Sequence, residues 1–307
     1  MAPDRGPSSR RRTCADNRPA VDFTALSWNL FHGRDFPPDD ALRTWRSRLL
    51  RTTERGATHA QVNRDLYKQF SSILAGAEWD VALLQECPPR WGERLAFDCG
   101  AEAHLAPTSR NLPLPALQRI AARFNPDLIA SWEGGSNLTL IRTSAIGGSA
   151  IADRQELTLT ERPERRVMAF TRLRAGLCIA NLHASAPHEM AEKEVPRAAA
   201  SALHWADGSP LLLGGDFNIR PAKSGFVFDA LARERGLAPA TPGDAIDHLL
   251  VHGLDVVEAP AKWAPERREV PDPTAGRGAP ALPIRLSDHA PVQARFALPP
   301  AAQVDDH

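Results

Sequence analysis

The sequence predicts an α+β protein whose strands pair antiparallel. Two observations carry this. Strand-like segments follow one another in series from Leu128 to Trp132, Asn137 to Arg142, Ile146 to Ala152, Arg166 to Leu173 and Leu177 to Ala184, joined by Gly and charged turns. Strands so closely spaced pair with their neighbours as hairpins and not as βαβ units. The chain of 307 residues, 43% hydrophobic, also has the material for a sizeable core.

The elements follow in order. Residues 1–20 are rich in Arg, Pro and Ser and have the composition of a disordered tail. Val21 to Leu30 is apolar enough for a central strand and delivers Asn29 near its end. Phe36-Pro37-Pro38-Asp39-Asp40 makes a turn before a helix through Leu50. A second helix is expected from Thr58 to Ala77, with Val62, Leu66, Phe70, Ile73 and Leu74 at helical spacing. Trp79 to Glu86 is a short apolar strand that ends on a carboxylate and is stopped by Pro88-Pro89. From Trp91 to Pro126 the pattern fits a loop and a helix around Leu112 to Ala122. After the strand series, Glu189 to Trp205 is a helix, Leu211 begins a strand, Phe226 to Gly236 is a helix, and Ala245 to Val251 is a strand opening on an acid and a histidine. Ala264 to Pro283 is dense in Pro, Gly and charge and is expected to be a long loop, after which a last strand runs to Leu298. This organisation gives one domain over 21–298 between an N-terminal tail and a C-terminal tail of 299–307.

Lys+Arg and Asp+Glu both number 37, so the net charge is zero, which excludes a protein that coats DNA by bulk charge. Arginines do cluster, at Arg10 to Arg12 and from Arg43 to Arg55, the second cluster fitting either a solvated helix face or a phosphate-binding one. No apolar run approaches membrane-spanning length and the first twenty residues hold no signal-peptide core, so a cytoplasmic location is expected. Cys14, Cys87, Cys99 and Cys178 have no CxxC spacing; reduced, mostly buried thiols are expected.

The stretch from Leu211 to Asn218 carries the first functional signal. An apolar run stops at Gly214-Gly215, and Asp216 and Asn218 follow with Phe217 between them. On an extended backbone the two polar side chains would face one spot while Phe217 turns into the core. The glycines would clear space for a substrate phosphate or a metal beside the backbone. A buried strand leaving its sheet through a Gly-Gly-Asp turn explains the same residues. Asn29, Glu86, His183, Asp247 and the pair Asp288-His289 likewise sit at strand ends or beginnings, each with an ordinary explanation when taken singly. Burying so many together is costly unless they pair with each other, a metal or a ligand.

In order, Trp28-Asn29-Leu30, Leu84-Gln85-Glu86, Asn181-Leu182-His183, Gly214-Gly215-Asp216-Phe217-Asn218, Ile246-Asp247-His248 and Ser287-Asp288-His289-Ala290-Pro291-Val292 resemble the motifs of the endonuclease/exonuclease/phosphatase superfamily, the deoxyribonuclease-I-like fold, over about 21–298. The resemblance implies a two-layer antiparallel β-sandwich flanked by helices, with the active site at one end. It implies a divalent cation, Mg2+ or alternatively Mn2+, on Glu86 with Asn29 beside it and Asp288 joining. It further implies that Asp216 orients or deprotonates the attacking water, Asn218 holds a phosphate oxygen, Asp247 fixes the tautomer of His289, and His289 and His183 meet the phosphate. Asn137 falls where family members often place a polar residue near the phosphate. His32, Arg34, Asp35 and His248 receive no role from the shared motifs, and Tyr67, the single tyrosine, does not match the site tyrosine of repair-type members.

The expected function is thus metal-dependent phosphoester hydrolysis, with nucleic-acid phosphodiesters first because His183 and scattered arginines suit a polymer backbone. Phospholipid headgroups, inositol phosphates and small nucleotides are the alternative substrates. A binding module without activity is the alternative of another class, and it is disfavoured by the presence of all the acids and histidines. No protein partner is indicated.

Overall fold

Alternation along the first strand sets the layering. In β1 (Val21–Asn29), Phe23 and Ala25 lie on one face and Leu26 and Trp28 on the other. In the computed structural model, which describes residues 20–44, 53–62, 64–108, 134–146, 148, 150–162, 164–272, 274–276 and 282–300, the first pair faces a second sheet. The other pair packs against helices.

Ten further strands build the two sheets: β2 (Val81–Cys87), β3 (Ala101–Pro107), β4 (Ser136–Arg142), β5 (Ile151–Thr160), β6 (Arg166–Leu173), β7 (Cys178–His183), β8 (Leu211–Asp216), β9 (Asp247–His252), β10 (Asp255–Lys262) and β11 (Val292–Leu298). One sheet has six strands in the order β10-β11-β1-β2-β4-β3, the other five in the order β9-β8-β7-β6-β5. Val81, Leu83, Ile179, Leu212, Leu249 and Phe296 fill the space between them. Helices α1 (Tyr67–Gly76) and α2 (Gly92–Asp98) cover the first sheet through Phe70, Leu74 and Leu95. Helices α3 (His188–Ala206) and α4 (Pro221–Arg235) cover the second through Val195, Ala199, Val227 and Leu231. The fold is the expected α+β sandwich flanked by helices.

Antiparallel pairing dominates, but β1 with β2 and β7 with β8 run parallel. Each of these pairs is joined by a connection long enough to hold a helix, α1 and α3 respectively, which is what a parallel crossover requires. The parallel pairs bring chain ends together: Asn29 lies opposite Gln85, one residue before Glu86, and His183 lies opposite Asp216, which is also paired with Asp247 across β9. Polar residues far apart in sequence thereby meet at one end of the sandwich.

Gly214 and Gly215 serve the sheets and not a ligand. A Cβ on Gly215, whose φ is +134°, would lie 1.9 Å from the Leu182 carbonyl oxygen; one on Gly214 would meet Leu83 and Leu249 at 2.6 and 2.7 Å. Gly215→Ala is expected to cost about 3 kcal/mol or more in urea unfolding, since it adds a forbidden backbone region to a clash. An unchanged unfolding midpoint would show that the strand relaxes at no cost.

Several boundaries differ from those the pattern predicts. The helix expected from Thr58 begins only at Tyr67: Ala60–Gln61 pairs with Glu54–Arg55 as a short ribbon, and the Asp35 carboxylate takes the Val62 N–H at 2.8 Å. Of the helix expected through Leu50, the described residues show a single 3-10 turn, Asp40–Leu42, and the rest lies outside them. Gly92–Asp98 is helical and Ala101–Pro107 is a strand where the pattern assigned no element, while the expected segments at Leu112–Ala122 and Leu128–Trp132 lie outside the described residues. The strand expected from Ile146 starts at Ile151 and runs to Thr160 with an exposed, charged face. The expected long loop holds a 3-10 turn, Pro265–Arg268, and a ribbon of Glu269–Pro271 with Pro283–Arg285. Cys87, Cys99 and Cys178 are free and buried. Among the described residues no helix is long and apolar enough to cross a membrane.

Candidate active site

The end of the sandwich where β1, β2, β7 and β8 terminate collects the polar residues. Five nearby non-glycine residues, Phe31, His32, Glu86, Asn218 and Ser287, have φ between +47° and +61°. Backbone strain of this kind persists where the surrounding packing over-determines it, and it clusters at working sites.

Glu86 takes this left-handed conformation inside β2, where the register with β4 shifts between Leu84 and Cys87; it is half-buried, with Oε2 at 3.2 Å from His32 Nε2 and Oε1 at 3.7 Å from His183 Nε2. Burial alone would raise its carboxyl, but His32, His183 and the Asn29 amide hold it down to about 2. The His32 ring is itself shifted to a lower pKa by burial, and its Nδ1 is buried without a partner. Asn29 is buried; its Nδ2 donates to Asp216 Oδ2 at 3.0 Å and its Oδ1 accepts the Phe31 N–H at 2.9 Å.

Asp216 is the buried centre of the group. Besides the Asn29 bond, its Oδ1 accepts the Asn218 N–H at 3.1 Å, and Oδ2 lies 3.5 Å from His183 Nε2 and 3.8 Å from His289 Nε2. Burial raises its carboxyl to about 7; His289 opposes the shift, and the charges of Asp247 and Glu86 add to it. His289 Nδ1 is 2.8 Å from Asp247 Oδ2. Burial would lower the His289 pKa, but Asp247, Asp216 and Asp288 together raise it well above the ordinary 6.5. These carboxylates favour the charged ring, and Nδ1 is placed to donate to the Asp247 carboxylate.

The loop that leads from β10 into β11 is held from three sides. Ser287 Oγ donates to the Asn29 carbonyl at 2.6 Å and accepts the His289 N–H at 3.0 Å, and the Trp28 indole donates to the His289 carbonyl at 3.2 Å. Arg268 Nη1 donates to the Leu286 and Ser287 carbonyls at 2.9 and 2.5 Å. Asp288 is thus fixed beside His289, at 3.9 Å from Nε2; burial raises its carboxyl, with Glu86 adding to the effect that His289 opposes.

Arg166 closes the other side. Its Nη1 sits 3.1 Å from both ring nitrogens of His183, so it lies against the ring, and burial followed by the Arg166 charge pushes the His183 pKa down to about 3. His183 is a neutral imidazole. No sequence motif marked Arg166 or His32; Arg166 merely opens a strand-like segment, and His32 could have been found only from its place three residues after Asn29.

Asn29, Glu86, His183, Asp216, Asp247, Asp288 and His289 therefore come together. Asn218 arrives differently: β8 ends at Asp216, and a left-handed turn directs the Asn218 amide to the Ala184 carbonyl at 3.0 Å, while Phe217 enters the core. Asn137 is fully buried between the sheets, its amide donating to the Val167 carbonyl at 2.7 Å and the Asn181 carbonyl at 3.3 Å, with Oδ1 unpartnered. His248 faces away, packed on Phe217 and Phe228 with its Nδ1 accepting the Thr241 N–H, and burial pushes its pKa down to about 4. Tyr67 donates to Asp98 at 2.6 Å under the helices and serves packing.

Two groups of donors were weighed as a cation site. Asp216, Asp247 and His289 bring ligand-type atoms within 4.8 Å of one another, but the His289–Asp247 hydrogen bond already engages this trio. Glu86, Asp288 and Asn29 fit better. Two carboxylates whose charges disfavour each other, with a neutral amide oxygen nearby, form an oxygen donor set that a hard divalent cation would relieve.

A model of the Endonuclease/Exonuclease/phosphatase family matches residues 26–289, nearly the whole of the described sandwich. No curated protein matches the sequence at a significant level. Among solved structures, an endonuclease/exonuclease/phosphatase family protein from Bacteroides thetaiotaomicron is similar at 15% identity and a TM-score of 0.61, covering 92% of this chain and 100% of its own. A mannosyl-6-phosphatase of the same species is similar at 14% identity and 0.59, covering 89% of this chain and 99% of its own. Truncated TDP2 from Caenorhabditis elegans is similar at 13% identity and 0.50, covering 90% and 97%. At these identities the structural likeness speaks for the fold.

Proposed function

The chain belongs to the endonuclease/exonuclease/phosphatase family, whose members hydrolyse phosphoesters and generally depend on a divalent metal, and from that premise we propose that it cleaves nucleic-acid phosphodiester bonds by in-line attack of water. The observation that carries the reading is the run from Asp247 through His289 to Asp216, with 2.8 Å and 3.8 Å between successive charged atoms. It sets a charged donor beside a carboxyl of raised pKa, which are the two proton-handling groups that hydrolysis at phosphorus needs.

Asp216, with its carboxyl near 7, is basic enough to accept a proton from water at neutral pH; Asn29 and Asn218 N–H hold both its oxygens in place. His289 donates from Nε2 to a phosphoryl oxygen as negative charge develops there, while Asp247 keeps Nδ1 protonated. His183, neutral under Arg166, offers an uncharged N–H to a second phosphoryl oxygen. The second amide hydrogen of Asn218 is placed for a third. Asn137, expected to meet the substrate, has no direct part in this scheme, because it is buried and bonded to β6 and β7 backbone. Glu86, Asp288 and Asn29 would hold Mg2+ or Mn2+, which when bound supplies positive charge to the phosphoryl oxygens.

The nucleic-acid substrate rests on Arg166 and the other arginines around the sandwich end. A second reading, a phosphomonoester of a sugar or an inositol, is favoured by the zero net charge and agrees with the likeness to a mannosyl-6-phosphatase. Plasmid DNA, bis-p-nitrophenyl phosphate, sphingomyelin, mannose 6-phosphate and inositol phosphates, each with and without Mg2+ and Mn2+, separate the two. Metal-dependent nicking of DNA is expected; turnover of monoesters with intact DNA would replace the first reading by the second.

Glu86→Gln should weaken Mn2+ binding by about 10- to 100-fold or more, the scale found even for groups that only orient a ligand, because it deletes the charge and keeps the shape. Calorimetry giving the parent's affinity would remove Glu86 from the metal site.

A further inference from the structure

The turn that follows Asn29 has no part in the proton handling at Asp216 and His289. Phe31, His32 and Gly33 all have left-handed φ, at +50°, +54° and +76°. The Gly33 N–H closes the turn on the Leu30 carbonyl at 2.8 Å, and Gly33 sits so close to Trp91 that a Cβ there would lie 2.2 Å from the indole. Three such residues in a row make an unfavourable backbone that persists only where packing dictates it. What the turn delivers is the His32 ring. Its Nε2 lies 3.2 Å from Glu86 Oε2, and Gly135 leaves the ring its room, since a Cβ at that position would come 3.4 Å from Cε1.

The ring has no hydrogen bond of its own among the described residues. Nδ1 is buried without a partner, and Nε2 meets Glu86 without hydrogen-bond geometry. Burial lowers the pKa of the ring, with Arg34 and Arg166 adding to the effect that Glu86 and Glu164 oppose. A neutral imidazole carries one hydrogen and one lone pair, and with Nδ1 enclosed by protein it is Nε2 that faces the carboxylates. A neutral imidazole is also the form that binds metals. Ligand atoms about 2.1 Å from a common ion lie roughly 3 Å apart, which is near the 3.2 Å between Nε2 and Oε2. His183, the other imidazole near Glu86, is farther off at 3.7 Å and has Arg166 against its ring. Oxygen donors alone suit Mg2+, whereas an imidazole added to them favours a first-row transition ion.

We propose that His32 Nε2 is a direct ligand of the cation held by Glu86 and Asp288, and that this nitrogen makes the site prefer a transition ion such as Mn2+ over Mg2+. The inference rests on the metal set of the hydrolytic reading and adds to it a donor of a different chemistry. It assigns the strained turn a task, which is to hold one imidazole against the metal carboxylate.

The test reads Mn2+ bound to the full chain by electron paramagnetic resonance, with no substrate present. Spin-echo modulation in the parent should show a directly coordinated nitrogen, and the pattern should change when histidine alone carries the heavy nitrogen isotope. The signal should survive in His183→Gln and His289→Ala and vanish in His32→Asn, a change that offers oxygen in place of nitrogen and suits a left-handed backbone. In competition titrations the ratio of Mn2+ to Mg2+ affinity should be about tenfold or more lower in His32→Asn than in the parent. A parent without the histidine signal, a signal that persists in His32→Asn, or equal losses for the two ions overturns the inference. Circular dichroism is recorded for each protein. If His32→Asn does not fold, the other two variants decide: loss of the signal in either assigns the nitrogen to that histidine and overturns the inference, and survival in both upholds it. Hydrolysis of bis-p-nitrophenyl phosphate with Mn2+ is measured in parallel. Activity without the nitrogen signal removes only the His32 ligand, and the signal without activity leaves that ligand in place and removes the hydrolytic reading. A parent that binds no Mn2+ removes the metal set and this inference with it.

Discussion

Asp216→Asn lowers turnover by about 10²- to 10⁴-fold at saturating Mn2+, the range that loss of a positioned proton acceptor produces, while metal affinity stays within a few-fold. The carboxylate accepts from two donors on two oxygens, Asn29 Nδ2 and Asn218 N–H. An amide has one acceptor oxygen, so one of these donors loses its partner, and a stability loss of about 1–3 kcal/mol should accompany the kinetic one. Melting curves separate the two effects, because assays well below the melting range report only the missing base. The parent's rate should climb as pH rises through about 7, where the Asp216 carboxyl releases its proton, and a bound cation would move that limb to lower pH. In Asp216→Asn this acid limb should vanish. Turnover within a few-fold of the parent would leave Asp216 as an ordinary strand end.

What could be seen in the sequence was the set of residues, and what could not was how they are held. Asn29, Glu86, His183, Asp216, Asp247, Asp288 and His289 were visible because each ends or begins an apolar run, and an apolar run with a polar terminus places that terminus at a sheet edge. Their meeting depends on β1 with β2 and β7 with β8 running parallel, and pairing direction leaves no local trace beyond a helix-length connection. Gly214-Gly215 pointed to the right place for the wrong reason, since the clearance serves Leu182, Leu83 and Leu249. The positive φ of Glu86 and Ser287 could not be foreseen, because neither residue type favours that conformation and tertiary packing imposes it; Asn218 and His32 are of types that adopt it more readily, but nothing local marked these two positions. Arg166 and Arg268 escaped notice for a related reason: arginine is usually a surface residue, and only burial, read from coordinates, turns these two into parts of the site. The strands Ala101–Pro107 and Asp255–Lys262 were missed where sheet edges carry too little apolar alternation to stand out.

His289→Ala should lower the rate by about 10²- to 10³-fold, as loss of a charged oxyanion donor does, and Asp247→Asn by less, with a changed pH profile. The two side chains lie 42 residues apart in sequence and 2.8 Å apart in space. In the proposed mechanism the charged form of His289 is the active one, so the parent's rate should fall as pH rises through the pKa of that ring, which the three surrounding carboxylates hold well above 6.5. Asn at 247 keeps a hydrogen-bonding group and withdraws a charge, so the basic limb should move to lower pH. The same shift has a stability sign. A histidine whose folded pKa exceeds its unfolded value of about 6.5 stabilises the fold fully below that value and loses the contribution as pH rises through the folded pKa. Asp247→Asn should therefore cost more stability in urea melts near about pH 6 than at high pH, where the parent has lost the term as well. Kinetics of the parent, both single variants and the double variant form a cycle. With His289 gone, the Asp247 change has nothing left to orient, so the double variant should be little slower than His289→Ala alone. Losses that simply multiply would mean that the 2.8 Å contact does not act as a unit in the reaction, and the role assigned to Asp247 would go with it.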